Sequence, residues 1–263
     1  MLLEDYRKSQ ESKLVPSSIG EPGVRFEYPL SAEHKLQLVI PRPDHEKIFA
    51  HRQWKGGLHT ADRILSGEID VKDKVVLEVG AGTGLSGIVA GCCSRPASSV
   101  LITDYDDVEL ITNLRKNVRD NDKRGNLKVM AHCWGKDADD LRSSSLTRDG
   151  FDVILAADVI WDSFSHLSLI ETLTQSLKQR PESRVVLVAG YHTGRHVVQA
   201  FMRRAKAKGL VPDDSLIMEF ERGVYSQSYT DLDFDLLNGL EDIDVYREQR
   251  QKTTIECRLR LVS

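Results

Sequence analysis

Residues 74–91 read KVVLEVGAGTGLSGIVAG, and this stretch decides the fold. Val75 to Val79 are apolar apart from Glu78, the pattern of a buried strand. Gly80, Gly82 and Gly84 alternate through a turn, and residues 85–90 open a helix. A strand that runs through a glycine turn into a helix is the device by which α/β proteins hold a nucleotide cofactor. Glycine lets the backbone take positive φ and lets a ligand lie against bare main chain. The free N–H groups of the helix N-terminus then face that ligand.

Two registers compete for the glycines. Gly82, Gly84 and Gly87 spell the G-x-G-x-x-G of a dinucleotide site, but they begin three residues beyond the strand end. Counted from the strand end, Gly80, Gly82 and Gly84 spell G-x-G-x-G, with Glu78 two residues before the first glycine. A carboxylate there suits a cationic ligand better than a pyrophosphate, because like charges repel. S-adenosylmethionine (SAM) carries a sulfonium and an ammonium. The string E-V-G-A-G-T-G, residues 78–84, resembles motif I of the seven-strand, class I SAM-dependent methyltransferases. That resemblance implies a Rossmann-like α/β sheet, mostly parallel with an antiparallel last strand, SAM as cofactor and methyl transfer as activity. It places Glu78, Gly80, Ala81, Gly82 and Gly84 around the amino-acid portion of SAM. An ordinary strand–turn–helix unit without a ligand is the structural alternative.

Upstream, residues 1–24 are polar, with Pro16, Gly20 and Pro22, and read as a mobile arm. Residues 25–30 and 35–40 alternate and predict a small hairpin. Residues 45–65 have helical spacing through Ile48, His51, Trp54, Leu58, Ala61 and Leu65, with Gly56-Gly57 as a point where two helices separate. Residues 51–57, HRQWKGG, resemble the tryptophan-bearing segment ahead of motif I in one methyltransferase branch. That branch holds the protein-lysine methyltransferases and the fungal nicotinamide N-methyltransferase-like proteins. The resemblance implies that Trp54 lies near the cofactor. The domain reading is an arm and hairpin over 1–45 and a methyltransferase domain over 46–263.

Downstream, a strand over 99–103 leads to Asp104-Tyr105. An acid about 20 residues past the glycine turn sits where a carboxylate accepts hydrogen bonds from ribose hydroxyls, which both SAM and NAD carry. Asp104 is assigned to ribose, and Tyr105 to the adenine face. Asp106 or Asp107 is the cap of a helix over 108–119, on which Asn113 and Asn117 read as structural. After a strand over 127–131 comes His132-Cys133-Trp134-Gly135. The family resembled has an aromatic turn here beside the adenine, which assigns Trp134. Residues 136–150 read as an acidic, serine-rich surface loop. The run 151–157, FDVILAA, is a strand buried on both faces, and Ala157 and Asp158 stand at its carboxyl end, where open sheets gather ligands. Related lysine enzymes carry an acid, two residues and an aromatic here. This chain has Asp158 and Trp161, a tryptophan in place of the usual tyrosine or phenylalanine. Capping of a helix over 160–165 is the structural alternative for Asp158. After a helix over 167–177 and a strand over 184–189, residues 190–195, GYHTGR, resemble the same place in the nicotinamide group. Tyr191 and His192 are there candidates to line the acceptor pocket, with a plain loop as the alternative. Asp158, Tyr191 and His192 are the catalytic candidates, Asp158 to orient the amine and all three to assist its deprotonation. A helix over 196–209 turns Val197, Phe201 and Ala205 inward, and Arg203, Arg204, Lys206 and Lys208 to solvent. Strands over 215–220 and 253–262 complete the sheet, the last inserted antiparallel. Residues 224–246 read as an insertion or a helix near the substrate side.

The 263 residues suit one large α/β domain with an extension, and 40% hydrophobic with 29% charged content is ordinary for a globular chain. A net charge of -4 and pI near 6.1 give no basic field for nucleic acid. No apolar run approaches the ~20 residues that span a bilayer, and MLLEDYRKSQESK lacks the apolar core of a leader, so no membrane is expected. The 4 cysteines form no C-x-x-C and no histidine cluster has zinc spacing, which predicts free thiols, no metal, and a cytosolic or nuclear setting. The leading expectation is a SAM-dependent N-methyltransferase acting on a protein lysine or N-terminal amine. The alternatives are a small-molecule, nicotinamide-like acceptor and a non-catalytic SAM fold that binds a protein partner. A dehydrogenase is disfavoured by the glycine register. The acceptor and the oligomeric state are not set by the sequence.

Overall fold

The computed structural model describes residues 18–42, 49–144, 148–191, 193–221, 224–230 and 253–262. The alternating runs form a hairpin, β2 (Arg25–Pro29) with β3 (Lys35–Val39). Ahead of it, β1 (Ser18–Ile19) pairs antiparallel with β4 (Gln53–Trp54), so the end of the expected mobile arm is a strand. Helix α1 (Lys55–Leu65) follows directly. Gly56 and Gly57 do not separate two helices. They lie in the first turn of α1, where the backbone approaches other groups closely.

The glycine-bearing core then unrolls as β5 (Val75–Val79), α2 (Leu85–Cys92), β6 (Ser99–Asp104), α3 (Val108–Asn121) and β7 (Leu127–Ala131). After α4 (Asp139–Ser144) come β8 (Val153–Ala157), α5 (His166–Ser176), β9 (Arg184–Gly190) and α6 (Arg195–Ala207). The chain ends in β10 (Leu210–Glu221), β11 (Val224–Thr230) and β12 (Thr253–Leu261). The sheet order is β11-β10-β12-β9-β8-β5-β6-β7. Strands β5 to β9 are mutually parallel, whereas β12 lies between β9 and β10, antiparallel to both. The chain winds outward one way through β6 and β7 and the other way through β8 and β9, which puts the switch in strand order between β5 and β8.

Each face of the sheet carries its own core. Val76, Val100, Ile102 and Val188 pack with α1, α2, α3 and the hairpin. Leu77, Val79, Ile154 and Leu187 pack with α4, α5 and α6. The hairpin is fastened by an asparagine ladder on α3. Asn121 accepts from Gln37 N and donates to Gln37 O, and Asn117 accepts from Val39 N and donates to Val39 O. Asn113 also donates to Val39 O. Residues four apart share a helix face, so the ladder runs along β3 as a neighbouring strand would. Among the described residues no helix is long and apolar enough to cross a membrane.

Two further segments differ from the sequence expectation. The expected loop over 136–150 contains α4, anchored by the buried Ala138 and Leu141. Residues 224–230 form β11, an eighth strand at the sheet edge. Their valine, tyrosines and threonine favour a strand, and acidic composition had masked that preference. The rest of the acidic stretch lies outside the described residues.

Candidate active site

Gly80, Gly82 and Gly84 all take positive φ, at 62°, 56° and 80°, and Gly84 is the N-cap of α2. Gly87 is different: a Cβ there would lie 2.5 Å from Glu78 Oε2 and 2.7 Å from Ile102 Cγ1. It is a packing glycine, so the turn is G-x-G-x-G. Along β5, Val76 and Glu78 share the face that meets α2. The Glu78 carboxyl is accordingly buried and accepts the Gly87 N–H at 2.9 Å, an acceptor for the first turn of α2 supplied from outside the helix.

Burial pushes the Glu78 carboxyl up to about 8, against the pull of the Gly87 and Ser86 hydrogen bonds. The folded state therefore keeps a proton that the unfolded chain releases near 4.5. The stability this contributes is full below 4.5 and is lost as pH rises through about 8. Burial of His132 and His166 holds both below 6.5, so their effect falls at lower pH. The melting temperature of the cofactor-free protein should drop between about pH 6 and 8, above the range in which Asp104 contributes, and level off beyond it, and Glu78→Gln should flatten that drop. An identical slope in both proteins would contradict the assignment.

At the end of β6, Asp104 is turned back onto the glycine turn. Its Oδ2 accepts the Gly82 N–H and its Oδ1 the Tyr105 N–H, each at 2.6 Å. Burial raises its carboxyl to about 6, opposed by those two bonds, so it is a carboxylate above neutrality. Asp107, not Asp106, caps α3 by accepting from Leu110 N. Tyr105 is half-exposed beside Asp104.

Trp134 reaches the same turn: a Cβ at Gly80 would lie 3.1 Å from its Cζ2 and 2.7 Å from Val159 Cγ1. The Trp134-Gly135 turn leans on α5, where Gly135 N donates to Thr172 Oγ1 at 3.0 Å. Next to it, His132 Nε2 is buried and has no partner among the described residues. It borders a concavity of about 420 Å³ lined also by Asp106, Cys133 and Lys136. Gln53 of β4 accepts from Thr83 Oγ1, and Asn117 donates to Thr83 O, so β4 and the hairpin ladder both grip the glycine turn. Gln53, Thr83, Val159 and Thr172 were not singled out from sequence. Gln53 and Thr83 had a signal, their places in the HRQWKGG and EVGAGTG strings.

Across the strand switch, Asp158 has φ 55° at the end of β8. Its Oδ2 accepts the Gly56 N–H at 2.6 Å and its Oδ1 the Gly190 N–H at 2.8 Å. One carboxylate thus ties together the start of α1 and the ends of β8 and β9. Residues 160–165 form no helix, so the cap Asp158 provides belongs to α1. A Cβ at Gly56 would lie 2.4 Å from Asp158 Oδ2, and one at Gly57 2.5 Å from Gln53 Nε2. This explains the glycine pair. Trp161 meets Phe49 edge-on, with ring centroids 4.8 Å apart. Phe49 takes φ 53° and its carbonyl accepts from Trp54 Nε1 at 2.7 Å. Trp54 thereby joins the Asp158–Trp161 side of the edge.

Tyr191 departs from the expected acceptor wall. It is buried, its hydroxyl donates to Glu219 Oε1 at 2.6 Å, and the Arg195 guanidinium lies 4.8 Å from its ring centroid. The ring packs into the core between β9 and α6, where it anchors rather than lines. His192 lies outside the described residues.

The carboxyl edge of the sheet therefore carries open space over Gly82, where a Cβ would meet nothing within 4 Å. Beside that turn stand the Asp104 carboxylate and the Trp134 indole. These residues fit a nucleoside bearing a positive charge, and fold and site together define a Rossmann-like SAM-dependent methyltransferase. The chain belongs to the lysine methyltransferase family, whose model matches residues 43–208. It is 28% identical over 194 residues to a protein N-terminal and lysine N-methyltransferase of Neurospora crassa, covering 69% of this chain and 68% of that protein. It is 32% identical over 170 residues to the protein of the same description from Kluyveromyces lactis, covering 58% of this chain and 61% of that protein. Among solved structures, a SAM-dependent methyltransferase from Aquifex aeolicus shares the fold at TM-score 0.50 and 14% identity, over 77% of this chain and 89% of that one.

Proposed function

We propose that the chain methylates a protein amine, a lysine side chain or a chain N-terminus. The observation that carries the reading is the division of the carboxyl edge. The glycine turn, Asp104 and Trp134 lie on one side of the β5/β8 switch, and Asp158, Trp161 and Phe49 on the other. The names of the two fungal relatives support a protein acceptor. When bound, SAM supplies an electrophilic methyl group on a sulfonium. Asp104 would hold the ribose hydroxyls, and the backbone of Gly80, Ala81, Gly82 and Gly84 would take the amino-acid portion. Trp134 and Tyr105 would flank the adenine. Glu78 acts through α2, setting the position of the turn from behind. Ala157 and Asp158 line the boundary between cofactor and acceptor.

Asp158 is a fixed acceptor, because two backbone N–H groups set its orientation. It orients an incoming amine by accepting its N–H and stabilises the positive charge the nitrogen gains. Trp161 and Phe49 offer that amine an apolar, π-rich wall, which shields it from water and favours a developing cation. Catalysis here is chiefly positioning and desolvation. The test is transfer of labelled methyl from SAM to a protein extract, with nicotinamide as the competing acceptor. Label on proteins at lysine or N-terminal amines supports the reading. Label on nicotinamide alone would replace it with the small-molecule one.

A further inference from the structure

Beyond Trp161 the chain runs out over the carboxyl edge before α5, and at its outermost point Phe164 is 95% exposed, with Leu167 56% exposed beside it. An exposed phenylalanine on a loose loop needs no explanation. This loop is clamped. Asp162 Oδ1 accepts the Phe164 N–H at 3.0 Å and Oδ2 accepts from Ser165 Oγ at 2.6 Å. From beneath, Arg204 of α6 donates through Nη1 to Ser163 O at 2.7 Å and lies 3.0 Å from His166 Nδ1. His166 Nε2 lies 2.9 Å from Ile160 O. Since a carbonyl only accepts, Nε2 carries the proton and Nδ1 accepts from Arg204. His166 is fully buried, edge-on to Phe201 at 5.2 Å. Arg204 was read from sequence as part of a solvated helix face. Here it leaves that face to hold the loop. Both flanks of Phe164 are thus fixed by side chains whose bonds leave its ring in water.

We propose that Phe164, with Leu167, is the docking point for the folded protein that carries the methyl-accepting amine. The proposal rests on the protein-amine reading above and adds where that protein sits. Phe164 follows Trp161 by three residues, at most about 10 Å of chain, so it stands close to the acceptor side without being part of the Phe49–Trp161 wall. A protein whose amine reaches Asp158 covers this patch, whereas a small amine held at Trp161 leaves it bare. A rigid aromatic in water beside a site is the kind of residue that dominates binding when buried.

The test compares the wild-type chain with Phe164→Asp and Phe164→Ala, using labelled SAM. The acceptors are the folded proteins of an extract from cells lacking this chain, and the same extract after trypsin digestion. Because the ring is exposed, both variants should fold with unchanged melting temperature and unchanged SAM affinity by calorimetry. Labelling of folded proteins should fall on the order of tenfold or more in Phe164→Asp, and labelling of peptides by less than about twofold. Equal labelling of folded proteins by all three chains would overturn the docking role and leave the protein-amine reading standing. A wild-type dimer that Phe164→Asp dissociates in sedimentation velocity would assign the patch to a second copy instead. Label on nicotinamide alone would remove both readings.

Discussion

Replacing Asp158 with alanine should lower kcat by about two orders of magnitude or more while weakening SAM binding far less. The carboxylate stands at the boundary where cofactor and acceptor meet, and it also closes the start of α1 onto β9 through Gly56 and Gly190. Loss of a helix cap costs about 1 kcal/mol, and each buried N–H left without a partner about 1–3 kcal/mol. The alanine variant should therefore also melt earlier. Two further variants separate the effects. Asp158→Asn keeps one carbonyl acceptor and should recover much of the stability but little of the turnover. Gly56→Ala keeps the carboxylate but places a Cβ 2.4 Å from its Oδ2, displacing it, and should lose turnover with little change in SAM affinity. Single-turnover kinetics beside calorimetry and melting curves would decide the matter. Full turnover in Asp158→Ala would take this residue out of the mechanism.

The second large effect falls on the cofactor. Asp104→Ala should weaken SAM binding about 100-fold, close to 2.7 kcal/mol, with the fold intact. A hydrogen bond to a charged group contributes about 1.5–3 kcal/mol, and a carboxylate accepting from ribose makes such bonds. The substitution also frees the Gly82 N–H, whose carboxylate partner, Asp104 Oδ2, now sets the turn at 2.6 Å. Asp104→Asn keeps an acceptor and should lose less. Unchanged affinity in Asp104→Ala, read by titration calorimetry, would show that ribose is held elsewhere.

The parts of this architecture that repeat a local rule could be read from residues. The strand, the alternating glycines and the helix over 74–91 each follow from periodicity and backbone freedom. Asp104 followed from its distance beyond the turn, and the place of the last strand followed from the family resemblance. What could not be read are contacts between segments distant in sequence. Gly56-Gly57 looked like a helix breaker because nothing local announces that Asp158, 102 residues away, presses against it. Tyr191 looked like a pocket residue because its burial depends on Glu219, on a strand paired two places over. Arg204 sits in a basic run whose composition spells a solvated face, and only the loop from β8 turns it inward. Residues 224–230 were hidden by their acidic neighbours, although their own strand preference was present.

The most direct measurement is calorimetric titration of the purified chain with SAM, with NAD as control. One-site SAM binding on the order of micromolar, about 8 kcal/mol, lost in Asp104→Ala and absent for NAD, is the predicted result. No heat with SAM, or equal binding of NAD, would contradict the account.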